Sequence, residues 1–131
     1  ERASISKRYS EALKDIPGVT FFDAADRFEW NHSYYPILID SSFPLSRDAL
    51  YEALKTENVY CRRYFYPLIS SFAMYSHLPS AASDKLPVAS RLAEQILCLP
   101  IYPDLQIEEQ MRVIDILRRY ATIPLINHQV A

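Results

Sequence analysis

Residues 58–75 read NVYCRRYFYPLISSFAMY, and the fold turns on how the first half of this stretch is taken. From Val59 to Tyr66 it is rich in β-branched and aromatic residues, with Pro67 ending the run, which is the composition of a strand. In a strand Cys61 and Arg63 share one face, and Tyr60, Arg62 and Tyr64 share the other. Whichever face is buried, one arginine points inward or to a rim. A planar cation between tyrosines suits a phosphate or carboxylate, because its fork of donors binds two oxygens at once. The same pair also suits a strand end held by two surface salt bridges, which contribute little. The flanking sequence decides between them.

Upstream, residues 33–40, SYYPILID, are the clearest strand. Pro36 has no donor and points to an edge or a bulge. Between the two strands Ser46 is a good N-cap, Asp48 suits the positive end of the dipole, and Leu45 can staple against Leu50. Leu50, Ala53 and Leu54 form the buried stripe of that helix, which ends near Glu57 and Asn58. The order is therefore strand, helix, strand. Residues 1–16 form a helix with Ile5, Tyr9, Ala12, Leu13 and Ile16 on one stripe, stopped by Pro17 and Gly18. No capping residue precedes Glu1, which suggests a chain cut from a longer one. Residues 19–22 form a short strand, and residues 23–32 a charged loop around Phe28 and Trp30.

Downstream, residues 70–77 hold a short helical turn carrying Phe72 and Tyr75, and residues 78–85 are loop-like. Pro87 opens a helix lined by Leu92, Ala93, Ile96 and Leu97. Residues 98–101 read as a short buried strand. The last helix spans 106–120, with Met111, Val113, Ile114 and Leu117 inward, acids in its first turn and arginines in its last. Residues 122–131 carry no firm assignment. The expected fold is an α/β (α+β-like) domain of three to four short, mostly antiparallel strands with helices packed on one face.

The totals narrow the function. A length of 131 residues, 50% hydrophobic and 23% charged, suits one domain with a real core. A net charge of −2 gives no reason to expect nucleic acid. No apolar run reaches the length of a membrane span, and no signal peptide is visible. Cys61 and Cys98 lie in apolar runs and read as free buried thiols of a cytosolic protein. His32, His77 and His128 lack paired spacing, so no metal site is expected. The single glycine, Gly18, leaves no P-loop and no dinucleotide fingerprint.

A complete catalytic site is not readable either. Cys61 has no local base, the serine pairs have no nucleophile-elbow context, and Lys7, Lys14, Lys55 and Lys85 sit on polar faces or in loops. No catalytic residue is assigned to these 131 residues.

Three segments in register, NHSYYPILID, VYCRRYFYPLISSFAMY and LPVASRLAEQILCLPIYPDLQIEEQ, resemble the C-terminal small domain of the DegT/StrS family of pyridoxal-phosphate-dependent sugar aminotransferases. The likeness runs from Glu1 to about Tyr120. It is similar to the branch acting on nucleotide-linked 4-keto-6-deoxy sugars, where an RRYFYP-like run is common. The resemblance implies that the cofactor-binding lysine, the acid facing the pyridine nitrogen and most of the phosphate cup belong to a large N-terminal domain. Residues 1–18 would then end the interdomain helix, residues 19–121 form the small domain, and residues 122–131 the tail. Arg62, Arg63, Tyr64 and Tyr66 match the family's run at the cleft rim and are the implied substrate-binding residues. The implied partners are a nucleotide-sugar, an amino donor (usually glutamate) and a second copy in a homodimer, in cytoplasmic polysaccharide or deoxyamino-sugar biosynthesis.

Two departures stand out. Family members often carry a histidine shortly after the YP, where this chain has Leu68, Ile69 and Ser70. Gln106 stands where Ser or Thr commonly opens the last helix. The competing readings are a non-catalytic binding or regulatory module of the same fold, and an unrelated α/β interaction domain with a tyrosine-rich surface.

Overall fold

The computed structural model describes residues 1–22 and 30–124. Those parts of the expected charged loop and of the tail that fall in 23–29 and 125–131 lie outside the described residues. Among the described residues four α-helices and three strands follow in the order α1 (Arg2–Leu13), β1 (Val19–Phe21), β2 (Tyr35–Ile39), α2 (Arg47–Thr56), α3 (Pro87–Gln95), β3 (Ile96–Leu99) and α4 (Ile107–Ala121). The strands form one antiparallel sheet in the order β1-β2-β3.

The period-two pattern of β2 sets the layering. Tyr35, Ile37 and Ile39 are buried while Pro36 and Leu38 are half-buried. The buried face joins Leu97 and Leu99 of β3, Ile5, Tyr9 and Leu13 of α1, Leu50 and Leu54 of α2, and Val113, Ile114 and Leu117 of α4 in one core. Burying about a dozen such side chains, at roughly 1.5–3 kcal/mol each, is the main force holding the domain together. α1 shares this core fully. Its Tyr9 hydroxyl donates to the Pro100 carbonyl at 3.0 Å.

The sequence-based strand over 59–67 is corrected to a single rung. Arg62 exchanges both backbone hydrogen bonds with Cys98, at 3.0 and 2.7 Å, and no further pairing follows. The neighbouring rungs explain this. Pairing would next match Tyr60 with Pro100, which has no N–H. On the other side it would match Tyr64 with Ile96, whose N–H already donates to the Leu92 carbonyl and whose carbonyl accepts from Arg47 Nη1 at 2.9 Å. The expected alternation does hold through this rung: Val59 and Cys61 are buried, Tyr60 and Arg62 exposed.

Pro36 is not on an edge strand, since β2 is central. Cys98 spends its N–H and carbonyl on Arg62, so the Pro36–Cys98 pair is one that exchanges no hydrogen bonds. The missing donor therefore faces the β1 side, at the rung beyond Phe21 where β1 stops. The strand expected at 98–101 begins two residues earlier, taking Ile96 and Leu97 from the helix before it. The first helix ends at Leu13, with Ile16 bonded back to the Leu13 carbonyl at 3.1 Å. The turn expected near 70–77 is a 3₁₀ turn at Ile69–Ser71. In α4, Met111 is exposed and Gln110 is fully buried in the inward stripe. Gln110 is satisfied there: its amide donates to the Ile5 carbonyl at 2.7 Å, and its oxygen accepts from Arg8. Gln106 is a better helix start than its side chain suggests, because the Glu109 carboxylate accepts from its N–H at 3.1 Å.

Among the described residues, no helix is long and apolar enough to cross a membrane.

Candidate functional site

The site is built from the first turn of α2. Ser46 caps it, accepting from the Ala49 N–H at 3.2 Å, and this fixes the direction in which Arg47 and Asp48 leave the helix. Arg47 is buried, and its Nε donates to Asp48 Oδ1 at 2.8 Å while Nη1 holds the Ile96 carbonyl. A charge in this position is tolerable because its donors are spent on a carboxylate and a carbonyl. The same Asp48 oxygen accepts from Arg63 Nη1 at 2.9 Å. Partial burial pulls the Asp48 carboxyl upward, but the hydrogen bond from Arg63 and the charge of Arg47 outweigh it and hold it below the usual carboxylate range. Asp48 in turn raises Arg63.

Tyrosine rings complete the frame. The Arg63 guanidinium lies 4.4 Å from the Tyr51 ring centre and 5.2 Å from that of Tyr66. Arg47 lies 4.7 Å from the Tyr66 ring, so Tyr66 meets two cations. Each such contact adds about 0.5–2 kcal/mol. Arg62 behaves differently. Its backbone is pinned to Cys98, its side chain is exposed, and Nη1 donates to the Tyr64 hydroxyl at 2.9 Å. The Tyr64 ring packs edge-on against Tyr34 at 5.1 Å and tilted against Phe65 at 5.2 Å.

All four residues singled out from the sequence, Arg62, Arg63, Tyr64 and Tyr66, therefore meet on one cleft of about 490 Å³, together with Tyr51 and Phe72. Within it the two arginines differ. Arg63 is committed to Asp48, whereas Arg62 has no carboxylate partner among the described residues. Sequence reasoning missed Arg47 and Tyr51. Their spacing i and i+4 on α2, with Asp48 already noted as a dipole residue, was the available signal.

The remaining chemistry is sparse. Burial pushes the Cys61 thiol up to about 12 and raises Cys98 as well, so neither is a ready nucleophile; both are free. Among the described residues, no three His, Cys, Asp or Glu side chains gather to hold a metal. Pyridoxal phosphate needs a desolvated lysine for attachment. Lys7, Lys55 and Lys85 are exposed and face Glu11, Glu52 and Asp84 respectively, and Lys14 is an exposed helix C-cap. No lysine lines the cleft. The described residues do not fit the cofactor, and no step through it is derived from them.

From Phe65 to Val88 no side chain is buried, and the exposed ones include Phe65, Ile69, Phe72, Met74 and Leu78. Contiguous apolar exposure of this kind is characteristic of interaction surfaces.

The profile of the DegT/DnrJ/EryC1/StrS aminotransferase family matches residues 1–118. A dTDP-4-amino-4,6-dideoxy-D-glucose transaminase of Escherichia coli is 48% identical over 120 residues, covering 87% of this chain and 32% of the relative. The enzyme of the same name from Shigella dysenteriae is 41% identical over 97 residues, 74% of this chain and 26% of the relative. Among solved structures, DesI in the presence of its TDP-sugar product superposes with a TM-score of 0.83 at 34% identity, covering 92% of this chain and 30% of DesI. The chain thus spans about a third or less of the length of the proteins it matches.

Proposed function

The chain belongs to the DegT/DnrJ/EryC1/StrS aminotransferase family, and from that membership we propose that it is the C-terminal small domain of a pyridoxal-phosphate-dependent aminotransferase. The whole enzyme transfers an amino group, from glutamate, to the keto carbon of a nucleotide-linked 4-keto-6-deoxy sugar, in cytoplasmic biosynthesis of cell-surface polysaccharide or a deoxyamino sugar. The observation that carries this reading is the 48% identity to a dTDP-4-amino-4,6-dideoxy-D-glucose transaminase over 120 residues. Residues 1–18 end the interdomain helix, 19–121 are the small domain and 122–131 the tail. The exposed band from Phe65 to Leu78 packs against the large domain of a homodimer.

The cofactor, held mainly by the large domain, supplies the electron sink for amino transfer. This chain's residues bind and orient. Arg62, Arg63, Tyr64 and Tyr66 face the nucleotide-sugar. Arg62 is the outward cation that meets substrate oxygens, with its guanidinium steadied by the Tyr64 hydroxyl. Arg63 and Tyr66 shape the rim from the Asp48–Arg47 frame. Alone, the chain has no lysine placed for the chemistry and is inactive.

The test is to read the encoded sequence upstream of Glu1. Roughly 230–300 further residues with a lysine in strand context, the size of a large domain, are expected. A start codon immediately before Glu1 would leave a non-catalytic module and overturn the proposal.

A further inference from the structure

Arg62 and Arg63 are adjacent in sequence and alike in chemistry, yet they end in different states. Arg62 is exposed beside the Tyr64 hydroxyl and ring. The Arg63 side chain is only 31% exposed and donates to Asp48 at 2.9 Å. Its guanidinium lies in a slot between the Tyr51 and Tyr66 rings. Both arginines line the 490 Å³ cleft, whereas Asp48 stands behind it on the first turn of α2.

Asp48 is what allows a cation to occupy that slot. Its Oδ1 accepts from Arg47 Nε at 2.8 Å as well as from Arg63, so two guanidinium groups share one oxygen. Both also lie against the Tyr66 ring. Without a carboxylate between them, two cations this close repel. Anchorage decides which one leaves. Arg47 is 3% exposed and keeps its bond to the Ile96 carbonyl at 2.9 Å. Arg63 is the more open of the two and has Asp48 as its salt-bridge partner. Loss of Asp48 therefore expels Arg63 and leaves Arg47 in place. Tyr66 then keeps one of its two cations, and the segment that carries the cleft rim loses its tie to α2. A rim that must be ordered as the ligand arrives binds it more weakly than one already in place.

We infer that Asp48 is a positioning residue for the amino transfer: acting through Arg63 and Tyr66, it fixes the rim of the cleft and leaves Arg62 as the cation that meets the ligand. The inference rests on the function proposed above and adds to it a residue that lies outside the cleft.

The test uses the full-length enzyme loaded with pyridoxal phosphate, with a dTDP-linked 4-keto-6-deoxyglucose as acceptor and glutamate as donor. Asp48→Ala should raise the KM for the sugar nucleotide about fivefold or more, with kcat and the KM for glutamate within about twofold of wild type. Arg63→Met tests the same clamp from its other end and should do the same, so a misfolded alanine variant does not shield the inference. Adding Asp48→Ala to Arg63→Met should change the KM by less than about twofold, because the carboxylate then has no Arg63 to hold. Asp48→Glu keeps the charge one methylene further out and should bring the KM back to within about threefold of wild type. A KM unmoved or lowered by Asp48→Ala overturns the inference. So do effects that multiply in the double variant, or an equal rise in the KM for glutamate, which mark a general structural role. A crystal structure of full-length Asp48→Ala gives a readout independent of turnover: Arg63 should have left the Tyr51–Tyr66 slot while Arg47 still holds the Ile96 carbonyl. Arg63 remaining in the slot overturns the inference and leaves the proposed function standing. Release of Arg63 in a protein that transfers no amino group would overturn the proposed function and leave the Asp48–Arg63 clamp.

Discussion

Replacing Arg47 with alanine removes the piece that ties the helix, the sheet edge and the aromatic rim together. Three interactions are lost. The charged hydrogen bond to the Ile96 carbonyl at 2.9 Å is of the class that contributes about 1.5–3 kcal/mol. The contact with the Tyr66 ring at 4.7 Å adds about 0.5–2 kcal/mol. The link to Asp48 at 2.8 Å adds under about 1 kcal/mol, because Asp48 is largely exposed and keeps Arg63. These three terms come to about 2–6 kcal/mol before the packing of the buried stem is counted, or on the order of 10–20 °C in Tm for a domain of this size. Urea denaturation of the wild type, Arg47→Ala and Arg47→Met would measure it. Methionine restores the buried apolar stem but not the donors, so it should recover a minor part of the loss. A loss below about 1 kcal/mol for alanine, or full recovery by methionine, would show that Arg47 acts by filling space and that the hydrogen-bond reasoning is wrong.

Other consequences follow from single features of the fold. Gly18 has a φ of +76°, and a Cβ there would lie 2.2 Å from the Phe43 nitrogen; Gly18→Ala should cost more than the roughly 1 kcal/mol of a simple glycine effect, read by urea denaturation. Cys61 is raised from 9.0 to about 12 and Tyr9 is raised in the same direction, both by burial. The unfolded chain therefore releases these protons first, so stability should hold up to about pH 9 and fall as pH rises through about 12, checked by denaturation across that range. The depressed Asp48 carboxyl contributes stability above the ordinary carboxylate pKa that is lost as pH falls through its lowered value; Asp48→Asn should flatten the acid side of the same profile. With Phe65, Ile69 and Met74 exposed, the chain alone should self-associate on concentration, and a dilution-insensitive monomer in sedimentation would contradict the covered-surface reading.

The parts of the fold that were legible in the sequence are those whose pattern is set by local chemistry. The alternation of β2, the Ser46 cap and the stripes of α1 and α2 all follow from burial on one side and solvent on the other. The misreadings have a common origin in tertiary partners. The segment from Val59 to Pro67 has strand composition, yet Pro100 and the Arg47–Ile96 bond leave it a single rung. Its aromatics serve a cleft and not a ladder. Gln110 joins the inward stripe through partners no local pattern reveals, because the Ile5 carbonyl and Arg8 that satisfy it lie more than a hundred positions away. Likewise the sequence shows Arg62 and Arg63 as an undifferentiated pair, and only the contact with Asp48 distinguishes the two arginines.

The central claim is tested most directly by the full-length polypeptide that carries these residues, loaded with pyridoxal phosphate and given glutamate and a dTDP-linked 4-keto-6-deoxyglucose. The account predicts one equivalent of 2-oxoglutarate for each 4-amino sugar nucleotide formed, with no turnover by residues 1–131 alone. A folded, cofactor-saturated protein that transfers no amino group to any nucleotide-linked keto sugar would contradict it.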